Sequence, residues 1–230
     1  MNKIISDKWL SNIVGKPVYE LKEFETNLKQ NDLPSGEIFI WTKIPVDNID
    51  KLVCLQKLGF YIVDTNVQFS LSDKISIKNK LNLRFANSSD ESELRVLASN
   101  AFKYNRFNKD PNISNEIASK IKEEWVGNFF LGKRGKWMII IEDNSNITGF
   151  LQLISKNQNT IVIDLIAIDE KNRGKGLAKE MISYAYENCL KKDGTIEVGT
   201  QIANTPSIKL YSKLSFHMNS ASYVLHMHKK

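Results

Sequence analysis

Residues 173–178, Arg-Gly-Lys-Gly-Leu-Ala, have the composition of an anion-binding loop. The segment follows an apolar run at 161–168 that is typical of a strand, and it precedes an amphipathic stretch that predicts a helix. The first amides of a helix lack internal partners and carry a partial positive charge, and glycine lets a diphosphate approach that backbone closely. We therefore expect a diphosphate to bind the loop formed by Arg173, Gly174, Lys175, Gly176, Leu177 and Ala178.

Two other interpretations of this loop stay open when it is considered alone. A dinucleotide fingerprint needs a third glycine, where this chain has Lys179, although Glu197 lies near the distance expected for a ribose-binding acid. A basic turn that contains glycine and binds no ligand is the other alternative.

A second segment, 198–216, follows the loop at a fixed distance. It has the order of a strand, an Asn-x-x-Ser turn at Asn204 and Ser207, a short helix carrying Tyr211, and Lys-Leu-Ser-Phe ending at Phe216. With the R-x-x-G-x-A spacing of the loop, this order resembles the two signatures of the GNAT superfamily of N-acetyltransferases. Ser215 replaces the glycine usual before the phenylalanine, so we expect a slightly different turn there.

The GNAT resemblance implies a fold, a cosubstrate and site residues. The fold class is α/β (α+β), a mixed, mostly antiparallel central sheet flanked by helices. The cosubstrate is acetyl-CoA, with its diphosphate on the loop and its pantetheine along backbone amides of the central strand, which would also polarise the thioester carbonyl. Tyr211 would protonate the leaving thiolate, and Asn204 would orient the cofactor arm. The cofactor-binding candidates outside the loop are Ile166, Ala167, Ile168, Asn204 and Ser207.

A narrower resemblance covers nearly the whole chain. The Arg-Phe-x-x-Asp-Pro segment that begins at Arg106, Trp125-Val126, and the stretches 55–63 and 198–201 are similar to the dTDP-fucosamine acetyltransferase subfamily. This implies that the acceptor is the amine of a nucleotide-linked amino-deoxy sugar used for surface polysaccharide. The substrate-binding candidates are Arg106, Asp110, Trp125 and Gln201, and Trp125 is equally plausible as a core residue.

Asp164 is the candidate for a catalytic base. It lies on the central strand between Ile163 and Leu165. A carboxylate there is either a base acting through water or a partner for a neighbouring backbone group or arginine, and the sequence does not decide between these roles.

The chain repeats itself weakly at an offset of 156 residues. The segment 54–62 aligns with 210–218, and an alternating strand pattern follows each copy. Leu55 stands in the place of Tyr211, and no phosphate loop precedes it. We therefore predict a degenerate, non-catalytic half-GNAT domain at 1–73, a linker at 74–81 and a catalytic GNAT domain at 82–230. The first half would form either a wall of the acceptor pocket or a dimer surface.

Patterns upstream of the loop predict the remaining elements. We expect a strand at 83–86, a helix to about Ala101 that begins with a capping box of Ser88 and Glu91, and a helix from near Ser114 to Phe130. The segment 102–111 has no periodicity, and 137–142, 149–154 and 161–168 are typical of strands.

Composition restricts the partners. Of 230 residues, 42% are hydrophobic, and the net charge is +6 with basic residues spread along the chain. Nucleic acid is therefore not the expected partner, whereas a diphosphate-bearing small molecule suits the mild excess. We expect no membrane insertion, no signal peptide, a cytoplasmic location and reduced cysteines at 54 and 189. A homodimer stays possible.

Two motifs are interpreted as decoys. Residues 127–134 nearly spell a Walker A loop, but Arg134 replaces its hydroxyl residue and a helix precedes it, so we expect a helix C-cap and a basic turn. His226 and His228 share one face of a strand without an evident third ligand, so we expect a surface strand and no metal.

Three function classes compete. They are the nucleotide-sugar N-acetyltransferase, an acetyltransferase for another small amine or a peptide amine, and a non-catalytic acyl-CoA sensor. The basic charge balance argues against a cationic acceptor, and the intact Tyr211 and Asn204 argue against a sensor.

Overall fold

The computed structural model describes residues 2–72, 81–143, 146–191 and 193–229. They form one ten-stranded sheet in the order β1-β2-β3-β10-β4-β9-β8-β7-β6-β5. Only β2 with β3 and β8 with β9 pair in parallel in the described sheet. The strands are β1 (Lys3–Ser6), β2 (Val18–Glu23), β3 (Ile38–Pro45), β4 (Tyr61–Leu71), β5 (Asn82–Phe85), β6 (Trp137–Asp143), β7 (Asn146–Ser155), β8 (Thr160–Ile168), β9 (Thr195–Gln201) and β10 (His217–Lys229).

Helices cover both faces of this sheet, as the sequence predicts. They are α1 (Lys8–Val14), α2 (Ile49–Lys57), α3 (Glu91–Ala101), α4 (Arg106–Lys109), α5 (Asn115–Phe130), α6 (Leu177–Cys189) and α7 (Thr205–Lys213). One face packs on α2, α6 and α7, and the other packs on α1, α3, α4 and α5. Strand alternation separates the two sides, since Leu225 and Met227 of β10 face α2 whereas His226 and His228 face α4. The predicted mixed, mostly antiparallel sheet is confirmed.

Local capping explains where the helices begin. Ser114 caps α5 with its side chain on the Ile117 amide, as predicted. The predicted capping box at Ser88 is wrong by one residue: Asn87 and Asp90 form the box, which opens a short 3-10 turn before α3. The segment 102–111 contains the single-turn helix α4, capped by Asn105.

The internal repeat is visible in matching turn geometry. Asn48 caps α2 and Asn204 caps α7, each accepting from the amide three residues on. Phe60 donates its amide to the Leu55 carbonyl, as Phe216 does to Tyr211, at 3.0 Å in both copies. The expectation of a different turn at Ser215 is wrong, because Ser215 adopts the same left-handed backbone (φ 64°) as Gly59 in the first copy (φ 90°).

The two copies exchange their final strands. β4, from the first copy, pairs with β9 of the second, and β10 pairs with β3 of the first. The exchanged strands also pair with each other, so that His217 lies opposite Ser70 and His226 opposite Tyr61. The predicted division at 1–73 and 82–230 stays a prediction, and the linker predicted at 74–81 lies outside the described residues except for residue 81. Strands of both halves belong to one sheet.

In the described residues, none of the helices combines the length and the apolar character required to cross a bilayer.

Candidate acetyl-CoA and acceptor site

Two parallel strands separate in the middle of the sheet and leave a gap. β8 and β9 pair from Thr160 with Thr195 to Ile163 with Val198. Beyond that point β8 continues to Ile168 beside β7, while β9 continues to Gln201 beside β4. The residues 164–168 and 199–201 therefore form the two sides of an opening, which we call the splay. Ile166, Ala167 and Ile168 lie on its β8 side.

The predicted phosphate loop lies directly after β8. Gly174 and Gly176 have φ values of 79° and 83°, and no atom lies within 4 Å of where a Cβ would stand at either position. Such left-handed backbone is costly for other residues. Gly176 is the N-cap of α6 without a side-chain cap, so the amides of Leu177 and Ala178 have no side-chain acceptor among the described residues. The loop is therefore an open, polar cradle with the geometry that a diphosphate needs.

The two basic side chains of the loop are held in place. Lys175 Nζ donates to Asn172 Oδ1 at 2.7 Å, and Arg173 Nε donates to the Ile168 carbonyl at 3.2 Å. Both residues are exposed and beside the open amides. Two cations thus flank the cradle without a carboxylate partner among the described residues.

Tyr211 lies on the sheet face that α6 and α7 cover. It is 2% exposed and packs against Phe69 and Phe216, with ring centroids at 5.9 and 5.4 Å. Burial raises the pKa of its phenol, so the hydroxyl keeps its proton throughout the neutral range. Such a group is available as a proton or hydrogen-bond donor and not as a base, and its raised pKa makes it a weaker acid than an ordinary tyrosine.

Both polar atoms of the Asn204 side chain make hydrogen bonds to other residues of the protein. Its Oδ1 accepts from the Ser207 amide and its Nδ2 donates to Thr200 Oγ1, each at 3.3 Å. This pairing starts α7 and ties it to β9. Asn204 therefore positions the helix that carries Tyr211, and Ser207 lies in its first turn.

A cleft of about 640 Å³ lies on the opposite face of the sheet. That volume suits a small-molecule ligand. Gln201 and Asn66 form part of its floor near the splay. The other lining residues come from α1, β2, β3, β4, α4, α5, the turn after α5 and β10: Asp7, Trp9, Leu10, Glu20, Trp41, Lys43, Asp64, Asn105, Arg106, Phe107, Lys122, Trp125, Asn128, Lys133, Arg134 and Val224.

The first copy of the repeat contributes lining residues to this cleft, and its predicted role as a wall of the acceptor pocket or as a dimer surface stays a prediction. Its own strand pair, β2 with β3, also separates, but Thr42 Oγ1 donates to the Leu21 carbonyl at 2.6 Å across that point. Both residues are buried. The equivalent of the splay is therefore closed in the first copy.

Arg106 is a cation of the cleft wall whose guanidinium is not fully paired within the described residues. Its guanidinium lies 4.0 Å from the Trp41 ring centroid, and its Nη1 atom is buried without a hydrogen-bond partner among the described residues. No carboxylate of the described residues lies within ion-pair distance. Burial lowers its pKa to about 10, despite the attraction of Asp7 and Glu20. An unsatisfied buried donor of this kind is costly unless a ligand supplies the acceptor.

Two residues of α5, Lys122 and Trp125, line the cleft near Arg106 of α4. Lys122 Nζ lies 4.3 Å from the Trp125 ring centroid, and burial lowers its pKa to about 8. Trp9 contacts the other edge of Trp125, with centroids at 5.9 Å. Trp125 is half-buried and lines the cleft, so it serves both as packing and as cleft wall.

The carboxylate of Asp164 accepts four hydrogen bonds, which favours its predicted role as a partner for an arginine over the role of a base acting through water. It accepts from Arg134 at 2.6 and 2.7 Å, from Trp125 Nε1 at 2.9 Å and from Gln152 Nε2 at 3.0 Å. Its side chain is 7% exposed. Asp164 therefore fixes two cleft residues at the start of the splay. The segment 127–134, which resembles a Walker A loop, is instead a helix end followed by a basic turn. Helix α5 ends at Phe130, Gly132 has a left-handed backbone, and the Arg134 side chain binds Asp164.

Asp110 is not among the residues that line the cleft. Its Oδ2 pairs with His226 Nδ1 at 2.6 Å and His228 Nε2 at 2.8 Å, and its Oδ1 accepts from Tyr61 at 2.7 Å. Burial alone would raise the pKa of Asp110, but the hydrogen bonds from both histidines lower it well below its usual range. Burial lowers the pKa of His226 to about 4. The surface-strand interpretation of the two histidines is wrong, since His226 is completely buried.

These three side chains offer possible metal ligands, with one atom from each lying within 4.8 Å of the others. The oxygen-to-nitrogen distances are those of hydrogen bonds. The second ring nitrogens, His226 Nε2 and His228 Nδ1, have no acceptor among the described residues, whereas a metal-bound histidine normally donates its other N–H. We therefore describe the cluster as a polar anchor that ties the α4 segment to β4 and β10.

Several site residues were not predicted from the sequence. Trp41, Lys43, Asp64, Lys122 and Arg134 reach the cleft from four separate elements. Isolated residues of this kind carry no local motif. The one available signal was the alternation of β3, in which Trp41 and Lys43 interrupt an apolar strand on one face.

Comparisons with known proteins show which proteins this chain resembles. The chain is similar to the spore coat polysaccharide biosynthesis protein SpsD of Bacillus subtilis, with 26% identity over 193 residues, covering 82% of this chain and 66% of that protein. It is also similar to the dTDP-fucosamine acetyltransferase of Escherichia coli O6:H1, with 28% identity over 189 residues, covering 81% and 80% of the two chains. A crystal structure of a functionally unknown conserved protein from Staphylococcus epidermidis superposes with a TM-score of 0.68 at 13% identity and covers 94% and 86% of the two chains, which shows the fold alone.

The family model described as the acetyltransferase (GNAT) family matches residues 102–216. This range is half of the chain and contains the splay, the phosphate loop and Tyr211. The chain therefore belongs to the GNAT family of acetyltransferases.

Proposed function

We propose that this acetyltransferase moves an acetyl group from acetyl-CoA to the amine of a nucleotide-linked amino-deoxy sugar, of the dTDP-amino sugar class. The observation that carries the acceptor class is Arg106, a guanidinium at the wall of the cleft that has no ion-pair partner among the described residues. The names of the two relatives support polysaccharide synthesis and a dTDP-linked acceptor.

The acetyl-CoA side of the site has three parts. The loop with Arg173, Gly174, Lys175 and Gly176 would hold the diphosphate, because its open amides and flanking cations match that charge. The splay would hold the pantetheine beside the backbone of Ile166, Ala167 and Ile168. Tyr211 lies on one face of the splay and the cleft on the other, so a thioester in the splay would be reached from both.

The acceptor side depends on charge. Arginine binds phosphate oxygens through paired, charge-assisted hydrogen bonds, and the buried Nη1 of Arg106 has no acceptor within the described part of the chain. Lys43, Lys122 and Lys133 line the same cleft and add positive potential. The tryptophan side chains at 9, 41 and 125 offer flat apolar surfaces to a sugar or a base. Gln201 lies where the cleft meets the splay and would contact the sugar.

The chemistry follows from these positions. The neutral amine attacks the thioester carbon, negative charge develops on the carbonyl oxygen, and the thiolate leaves. Backbone amides of the splay would stabilise the oxygen, an effect typically worth about 3 kcal/mol per donor. The Tyr211 hydroxyl would protonate the sulfur. Asp164 would act by holding Arg134 and Trp125 in position.

The first copy of the repeat would act as a scaffold. We propose that residues 1–73 are a degenerate half-GNAT unit that forms a cleft wall and binds no acetyl-CoA, because Thr42 closes its strand gap and Leu55 replaces Tyr211. We also propose that the protein works in the cytoplasm on a precursor of surface polysaccharide.

Kinetic constants for two acceptors test the acceptor class. These are dTDP-4-amino-4,6-dideoxygalactose and the same amino sugar without the nucleotide. Loss of charge-assisted hydrogen bonds of about 1.5–3 kcal/mol should raise KM for the nucleotide sugar about 10- to 150-fold in Arg106→Gln, with little change for the free sugar. Lys57→Gln is the matched control, since it removes an exposed cation from α2, on the sheet face opposite the cleft. An equal change for both acceptors would contradict a phosphate-binding role.

A further inference from the structure

Transfer of an acetyl group to an amine releases a proton that some group must accept. Asp164 is a poor candidate, because its two oxygens already accept four hydrogen bonds, two of them from the Arg134 guanidinium. Tyr211 stays protonated. The carboxylates that line the cleft are the next candidates.

Three carboxylates from the described ranges line the cleft, at Asp7, Glu20 and Asp64. Asp7 is the N-cap of α1 and accepts the Leu10 amide at 2.9 Å. Glu20 has Lys22 Nζ at 3.6 Å. Asp64 has no ion pair among the described residues, and its side chain lines the cleft.

The position of Asp64 brings it near the splay. It lies on β4 two residues from Asn66, so both side chains point to the same face. Asn66 pairs with Gln201 on β9, and its Nδ2 donates to the Thr200 carbonyl at 3.1 Å. Standard sheet spacings place the Asp64 Cα about 8 Å from that of Gln201. A sugar ring in the cleft can span this distance.

The surroundings of Asp64 suit a base that works near neutral pH. Burial raises its pKa to about 6. The facing cations are Lys43 on β3 with Arg106 and Lys109 on α4, and they act in the opposite direction without cancelling the rise. A carboxylate that titrates near pH 6 is ionised at pH 7 and is a stronger base than an ordinary aspartate.

We propose that Asp64 is the general base that accepts the proton of the acceptor amine. As the nitrogen lone pair forms the bond to the thioester carbon, the N–H proton passes to a carboxylate oxygen of Asp64, directly or through one water. The carbon-sulfur bond breaks as the tetrahedral adduct collapses, and the thiolate takes its proton from Tyr211. This assignment depends on the proposed function only in placing the acceptor in this cleft.

The pH dependence of kcat tests the assignment in the variants Asp64→Asn and Asp64→Glu, with CoA release followed by a thiol reagent. In the wild type, kcat should fall as the pH drops through about 6, because Asp64 becomes protonated. Asp64→Asn should lower kcat at pH 7 by about 100-fold and abolish this acidic limb, while KM for acetyl-CoA stays the same. Asp64→Glu should restore part of the rate together with a limb.

Glu20→Gln is the matched control, because it makes the same chemical change at another carboxylate of the cleft and should keep the limb. A variant Asp64→Asn that raises only the KM of the acceptor and retains kcat and the limb would overturn the proposal, since Asp64 would then merely bind sugar hydroxyls. Melting temperatures separate either result from misfolding.

The acceptor class and the base assignment fail in different ways. If the free amino sugar is acetylated as well as the nucleotide sugar, the proposed acceptor class is wrong, but the pH profiles of Asp64→Asn and wild type with that free sugar still test the base. If neither sugar is acetylated by the wild type, the acceptor placement in this cleft is wrong, and the assignment of Asp64 is wrong with it.

Discussion

Gly176→Glu should weaken the binding of acetyl-CoA strongly. Gly176 has a left-handed φ of 83° and is the N-cap of α6, with no atom within 4 Å of where its Cβ would stand. A glutamate there therefore meets no clash in the free protein. Its side chain and negative charge would instead occupy the space of the diphosphate.

The magnitude follows from charge and distance. One carboxylate about 6 Å from one phosphate charge costs about 0.7 kcal/mol in bulk water and about 3 kcal/mol at the lower effective dielectric constant of a protein surface. A middle value of about 2 kcal/mol corresponds to about 30-fold weaker binding. Left-handed strain of about 1–2 kcal/mol would be added to the cost of folding, separately from binding.

Isothermal calorimetry with acetyl-CoA measures this change directly. Gly36→Glu is the matched control, because Gly36 has a similar φ of 86°, equally open surroundings and an exposed position in the first copy, away from the loop. Both variants should lose similar stability, but only Gly176→Glu should lose affinity. Unchanged affinity in a folded Gly176→Glu protein would refute the assignment of the loop as the diphosphate site.

Three further predictions concern the repeat, the acid and the buried histidine. Calorimetry should find one acetyl-CoA per chain, and a stoichiometry near two would contradict the degenerate first copy. Tyr211→Phe should lower kcat by about 100-fold with little change in melting temperature or in KM for acetyl-CoA, and a variant that keeps more than about half of the wild-type kcat would show that Tyr211 only packs. The pKa of His226 is lowered to about 4, so it stays neutral in the folded protein while the unfolded chain takes up a proton near pH 6.5. The contribution of His226 to the free energy of unfolding should therefore fall by about 2–3 kcal/mol as the pH decreases from 7 to 4.5, while the raised pKa of Asp64 acts in the opposite direction over this range. An NMR titration of His226 with an ordinary midpoint near 6.5 would contradict this.

The features predicted from the sequence depend on local spacing. The phosphate loop needs glycine at fixed positions before a helix, and Gly174 and Gly176 adopt the left-handed backbone there. The repeat was found because Lys-Leu-small-Phe occurs twice, and the structure extends the match to the helix caps Asn48 and Asn204. Loops and helix caps of this kind are determined by residues close together in the chain, so they can be predicted from the sequence.

The features that were missed join distant parts of the chain. Asp110 meets His226 and His228 more than 110 residues later, and no spacing rule links them. The role of Asp164 depended on Arg134, which comes from a turn that resembled a nucleotide-binding motif. The exchange of β4 and β10 brings Asp64 to the second copy's site, and strand order of this kind is set by tertiary packing and not by periodicity.

The most direct measurement of the central claim is the product of one reaction. Purified protein is incubated with acetyl-CoA and dTDP-4-amino-4,6-dideoxygalactose, and the nucleotide sugar and released CoA are quantified by mass spectrometry. We predict an N-acetylated nucleotide sugar formed in equal amount to free CoA, at a rate far above that for the amino sugar without its nucleotide. CoA release without an acetylated nucleotide sugar, or equal rates for both sugars, would contradict the account.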